Sequence, residues 1–220
     1  MPARNEALAL PYVFGEIPSE IDGVLIIDNG STDGTASVAA QYGAKVVSEP
    51  VVGYGRACLA GIRALEENPP DIVAFADADG SDDLSRIPEL VAPLISRHAD
   101  FVLARRVPSE SKALSIQQRF GNRFAVFLIR LLWGYSYTDL GPMRAITWAS
   151  LKKLGMKDQS YGWTVEMQIR ALKQGLQVME LPVPYRRRIA GYSKVSRTIS
   201  GSMKAGIKIL FIIFREAISA

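Results

Sequence analysis

Short apolar runs alternate with helical stretches through the first half of this chain. Gly23 to Ile27, Ala44 to Val47, Ile72 to Ala76 and Phe101 to Leu103 are rich in Val and Ile and read as buried strands. Between them, Thr35 to Tyr42, Gly55 to Glu66 and Leu84 to Arg97 carry helical periodicity. Thr32 and Asp33 are helix-start residues and Gly43 is a helix-stop residue. Strand–helix alternation at this spacing predicts an α/β fold, with right-handed crossovers and a mostly parallel sheet flanked by helices.

After Arg105 the pattern changes. Gln117 to Trp133 reads as a long amphipathic helix, followed by a loop from Gly134 to Pro142 and a helix from about Trp148. Trp163 to Gln174 is another helix, and Leu176 to Leu181 a late strand ending at Pro182. From Ser200 onward the tail predicts one or two amphipathic helices. Its most apolar piece, Ile209 to Phe214, is bounded by Lys208 and Arg215. A membrane span needs ~20 apolar residues, so the tail is either an interfacial helix or one packed on the domain's own core. Residues 1–198 are read as one domain and 199–220 as this amphipathic tail.

The chain has 220 residues, 48% hydrophobic and 22% charged, which suits one sizeable folded domain. A single cysteine, Cys58, excludes an internal disulfide and fits a reducing, cytoplasmic setting. Residues 1–6 have no apolar core of the kind a signal peptide needs. The lone His98 stands among polar neighbours and reads as a surface residue. Net charge is +4, but Arg186 to Arg215 contains no Asp or Glu and eight basic residues. That segment suggests an anionic membrane surface or another polyanion, against the alternative of a solvated face.

In parallel sheets, ligands bind at the carboxyl ends of the strands. Those ends carry Asp28, Glu49, Asp77 with Asp79, and Arg105. Asp77-Ala78-Asp79 follows a buried apolar run directly. Two carboxylates there are costly unless a cation meets them, and a divalent metal carrying a diphosphate is the natural partner. Mg²⁺ and Mn²⁺ fit equally well.

Several motifs occur in order along the chain. They are Pro2-Ala3-Arg4-Asn5-Glu6, Asp28 to Thr35, Gly53-Tyr54-Gly55-Arg56, Asp77-Ala78-Asp79, Arg105, Arg119 to Asn122, Asp139 to Arg144, and Arg188 to Lys194. Together they resemble the family 2 glycosyltransferases, most closely the branch of dolichyl-phosphate mannosyl- and polyprenyl-phosphate glucosyl-synthases. The resemblance implies a GT-A type nucleotide-diphospho-sugar transferase fold and a nucleotide-sugar donor. It places Ala3, Glu6, Asp28, Gly53 and Asp77 at the nucleotide and Asp79 at the metal. Relatives carry a further glutamine ligand where this chain has Ser81, so Ser81 or Asp82 is the substitute to consider. They also have a full strand before the Pro2–Glu6 motif, so the sheet is expected to lack its usual first strand, or the chain to start late.

Sugar transfer to an alcohol needs a general base, whereas a phosphate monoester, with its second pKa near ~6, needs cationic clamps instead. The clamps on offer are Arg105, Arg119, Arg123, Arg144, Arg188 and Lys194. Arg119 and Arg123, four apart, share a helix face. The resemblance puts Arg105 and Arg119 at the acceptor phosphate and Arg188 and Lys194 near the donor diphosphate. It also brings Glu166 to the site as a base candidate, against an ordinary helix-surface glutamate. Asp139 is read as a residue that orients Arg144.

The leading expectation is a metal-dependent, inverting transfer of a hexose from a UDP- or GDP-sugar to a polyprenyl phosphate at the cytoplasmic membrane face. The closest rival keeps the donor but uses a soluble hydroxyl acceptor, with Glu166 as base. A sugar-phosphate nucleotidyltransferase would want a Gly-rich basic loop after the first strand, which Pro2 to Glu6 is not. A non-catalytic basic module binding nucleic acid or membrane through Arg186 to Arg215 leaves the strand-end acids unexplained.

Overall fold

A computed structural model describes residues 1–109, 116–190 and 199–219. Its strands are β1 (Pro2–Ala3), β2 (Leu25–Asp28), β3 (Lys45–Ser48), β4 (Ile72–Phe75), β5 (Phe101–Pro108), β6 (Arg144–Thr147) and β7 (Val178–Tyr185). The helices are α1 (Leu10–Gly15), α2 (Thr35–Gln41), α3 (Tyr54–Leu65), α4 (Ile87–Ile95), α5 (Ile116–Trp133), α6 (Trp148–Leu154), α7 (Trp163–Lys173) and α8 (Ile199–Ile218).

The strands form two sheets, ordered β1-β2-β3 and β4-β6-β5-β7. The first is wholly parallel, with Pro2 opposite Ile27 and Leu25 opposite Lys45. In the second, β5 and β7 run parallel while β6 lies antiparallel between β4 and β5. Among the described residues no strand pairing joins the two sheets. The Pro2–Glu6 motif itself opens as a strand, only two residues long, beside β2.

Period-2 alternation divides the core into layers. On β5, Phe101 and Leu103 face a cluster with Trp163, Ile129 and Ile212, while Val102 and Ala104 face one with Leu90, Leu94 and Met143. Helices α3, α5, α6, α7 and α8 cover the first face, and α1 and α4 the second. Cys58 is buried in the first layer, which pushes its thiol up to about 12 and leaves it inert.

Two expectations are corrected. The stretch before Trp148 contains strand β6, which has only Ala145 and Ile146 as apolar residues. The late strand runs past Pro182 to Tyr185 because β7 is an edge strand. Carbonyls of Gln177 and Tyr185 accept from β5, so odd positions face β5 and Pro182 and Pro184 turn their missing N–H outward. Of the two placements left open for the tail, α8 turns one face into the main core, where Ile212 and Ile213 are wholly buried.

Candidate active site

Two loops lock together at the end of β2. Asn5 takes a left-handed conformation (φ 54°) that its short polar side chain tolerates. Its Oδ1 accepts from the Thr32 amide at 2.8 Å, and its own amide donates to Ser31 Oγ at 3.0 Å. The Glu6 amide donates to Thr35 Oγ1 at 2.9 Å and the Ala7 amide to Asp33 at 3.2 Å. Burial works against the Asp33 charge, yet hydrogen bonds from Thr35 and Ala7 hold its carboxyl below the usual value. Asp28 Oδ1 accepts from the Ser31 amide. Ala3 supplies a carbonyl to the Asn29 amide and buries its methyl. The Asn29 side chain then reaches across to Glu49 O, Val51 O and the Gly53 amide, each within 2.9 Å.

Gly53 and Gly55 are required by the protein's own packing. A Cβ on Gly53 would lie 2.4 Å from Gln159 O, and one on Gly55 only 2.1 Å from Asp158 O. The close backbone approach that these glycines allow is to the loop before α7, and the Gly53 amide donates to Asn29 Oδ1.

The acids after β4 are crowded, with Asp79 and Asp82 buried and Asp77 half-buried. Asp79 Oδ1 accepts from the amide and hydroxyl of Ser81, so Ser81 braces Asp79. Asp82 Oδ2 accepts from the Asp77 amide at 3.0 Å. Burial pushes Asp82 up to about 7, and burial followed by the charges of Asp79 and Asp82 raises Asp77 well above the carboxylate range. The segment after β7 straps this turn. Arg186 N donates to Ser81 O, Ile189 N to Asp79 O, and the Ile189 side chain lies where a Cβ on Gly80 (φ +76°) would need to be. Arg186 is held by Glu16 through two bonds of 2.6 and 2.7 Å. Arg188 then contacts Asp79 at 2.7 Å and Glu6 at 3.4 Å.

Glu6, Asp79 and Arg188 therefore converge, with Asp28 and Asp77 beside them on neighbouring strand ends. The basic residues expected at an acceptor come from different elements. Arg105 is half-buried within β5 rather than at its end, and Arg119 and Arg123 are exposed on α5. Lys194 lies outside the described residues. Arg144 is a correction: it is wholly buried, donates to the carbonyls of Pro142, Thr164 and Gly141, and lies over the Phe101 ring. Each of its three nitrogens donates to a backbone carbonyl, and burial lowers its pKa. Asp139 orients Arg106 instead, through a bidentate pair at 2.8 Å that burial in the sheet makes strong.

Glu166 is the second correction. It is wholly buried, and its Oε2 accepts from the amides of Lys157 and Asp158 at 3.1 and 2.7 Å. Its Oε1 meets Arg215 at 2.6 Å and Arg170 at 3.1 Å. Oε2 thus ties α7 to the loop before it and Oε1 ties α7 to α8, so the side chain is buried and both of its oxygens are already occupied.

With this geometry in place, the chain belongs to glycosyl transferase family 2, whose model matches residues 1–155. It is 40% identical over 205 residues to an uncharacterized glycosyltransferase of Mycobacterium tuberculosis, covering 93% of this chain and 92% of that protein. It is 30% identical over 215 residues to an undecaprenyl-phosphate mannosyltransferase of Micrococcus luteus, covering 91% and 88%. A solved glucosyl-3-phosphoglycerate synthase from Mycobacterium tuberculosis superposes with a TM-score of 0.79 at 22% identity, over 98% of this chain and 78% of that one. The fold is the GT-A type, and the protein is a glycosyltransferase.

Proposed function

We propose that the protein transfers a hexose from a nucleotide-diphospho-sugar to a polyprenyl phosphate, with inversion at the anomeric carbon and with Mg²⁺ or Mn²⁺ bound at Asp79. The observation that carries the reading is the convergence of Asp79, Glu6 and Arg188 on the strand-end rim. No group of three or more metal-ligating residues is gathered among the described residues. One carboxylate plus diphosphate oxygens nevertheless suits a hard divalent ion. When bound, such a metal neutralises charge building on the departing diphosphate.

Glu6, Asp28 and Asp77 would hold base and ribose, and Arg188 would meet the diphosphate. The acceptor phosphate oxygen forms its bond to the anomeric carbon as the bond to the diphosphate breaks, and no proton has to be removed. Arg105, Arg119 and Arg123 would position that dianion. The polyprenyl acceptor is supported by the undecaprenyl-phosphate relative above and by a dolichyl-phosphate hexose transferase of Haloferax volcanii, 29% identical over 220 residues. Solved relatives in complex with Mn²⁺ and uridine-diphosphate support the metal and a uridine donor. The hydroxyl-acceptor rival would need Glu166, whose oxygens are already committed.

The deciding experiment compares kcat/KM of Arg119→Ala and Glu166→Gln with a short prenyl phosphate as acceptor. Losing a charge-assisted contact at Arg119 should cost about ten- to hundredfold. A larger loss of turnover per folded molecule in Glu166→Gln would overturn the reading.

A further inference from the structure

Helices α5 and α8 pack side by side over one core layer, each turning a buried face inward: Ala125 and Ile129 from α5, Ile212 and Ile213 from α8. Their outer faces are also apolar. On α5, Phe120, Phe124, Phe127 and Leu131 recur at helical spacing and are 43–72% exposed. On α8, Met203, Ile207, Phe211 and Phe214 do the same, at 52–63% exposed. Among the described residues, ten of the nineteen large exposed hydrophobic side chains lie on these two helices, so this apolar surface is concentrated, not scattered.

The charges beside it have one sign. Helix α5 contains no acid, and the one acid of α8, Glu216, is buried against Arg170 and Arg215. Arg123 and Arg130 of α5 and Lys204 of α8 are exposed. By contrast Arg186, Arg188, Lys208 and Arg215, which made the tail look basic in sequence, are each paired internally, with Lys208 2.6 Å from Asp158. The positive surface therefore comes from α5 as much as from the tail.

We propose that α5 and α8 together form a docking face that lies flat on an anionic phospholipid surface. A second copy meeting this face about a twofold axis would set like charges against each other. A nucleic acid would match the charge but not two ridges without hydrogen-bonding groups. No described helix is long and apolar enough to cross a membrane, so the face lies in the headgroup region. The inference deepens the polyprenyl-phosphate reading, on which its purpose rests: Arg119 and Arg123 share α5 with the ridge, so a lipid-borne phosphate would meet them without leaving the bilayer.

The test is flotation of the full chain with phosphatidylcholine vesicles, with and without phosphatidylglycerol. Flotation should require phosphatidylglycerol and weaken with salt. Phe127→Glu and Phe211→Glu should each lower partitioning about tenfold or more, with circular dichroism and calorimetric binding of nucleoside diphosphate unchanged. Wild-type-like flotation of Phe127→Glu would overturn the joint face. So would a wild-type dimer, by light scattering, that either variant splits. Transfer to a water-soluble short prenyl phosphate separates the two ideas. Variants that lose flotation but keep transfer support the face, whereas no transfer in the wild type overturns the acceptor reading and leaves the membrane face to stand or fall by flotation alone.

Discussion

The Arg188 guanidinium lies 2.7 Å from the Asp79 carboxylate, so the acid nominated to hold a metal already holds a cation. Arg188 and a divalent ion then compete for Asp79 Oδ2. Without nucleotide, Mn²⁺ should bind the wild type weakly and Arg188→Ala more tightly, by about tenfold or more for a lost charge-assisted contact. Electron paramagnetic resonance of free Mn²⁺ reads this directly. Donor affinity should move the opposite way, and Asp79→Asn should abolish Mn²⁺ binding and transfer alike. Equal Mn²⁺ affinity in wild type and Arg188→Ala would refute the competition.

Glu166→Gln should be a stability variant. It leaves Arg215 and Arg170 short of a counter-charge in a buried site, at a cost of about 3 kcal/mol. Urea unfolding should register that loss while transfer per folded molecule stays within a few-fold of wild type.

Acid should loosen α8. Burial would raise Glu216, but hydrogen bonds from Arg215 and Arg170 hold it below its ordinary value of 4.5. A depressed carboxylate stabilises the fold at every pH above 4.5, and that contribution is lost as pH falls through the folded-state value. Protection of the α8 amides against hydrogen exchange should therefore fall below pH 4.5, before that of the rest of the layer does. Glu216→Gln should show fast exchange at neutral pH already, with little further change in acid.

Gly55→Ala sets a Cβ 2.1 Å from Asp158 O, in a loop whose amide is held by Glu166. The loop has little room to give, so stability should fall by about 3 kcal/mol. Gly206→Ala is the control. Nothing lies within 4 Å of its Cβ, and removing glycine from inside α8 should stabilise by roughly 0.5–1 kcal/mol.

The parts that sequence made legible are those where local pattern and local structure coincide. Val- and Ile-rich runs gave β2, β3 and β4, and the acids at their ends gave Asp28, Asp77 and Asp79 their place on one rim. Strand β6 escaped because its register is fixed by two neighbours and not by its own composition, with Arg144 opposite both Phe75 and Leu103. Arg144 and Glu166 escaped for a related reason. A buried charge looks like a site charge until its partners are known, and Arg215 stands 49 residues from Glu166. Glu16 and Arg186 are 170 residues apart, so nothing local could show that the basic tail was partly neutralised. Asn29, bonded to three backbone groups, stood in the sequence only as one residue of the Asp28 to Thr35 motif.

The antiparallel placement of β6 has a consequence for synthesis. Strands β4 and β5 are not neighbours in the finished sheet; each pairs with Arg144–Thr147, which emerges from the ribosome well after both. Until then their inner edges stay open, and the outer edge of β5 waits longer still, for Val178–Tyr185. This half of the protein cannot close stepwise behind the growing chain, so its nascent form is exposed to edge-to-edge aggregation from the making of β4 until β7 has followed.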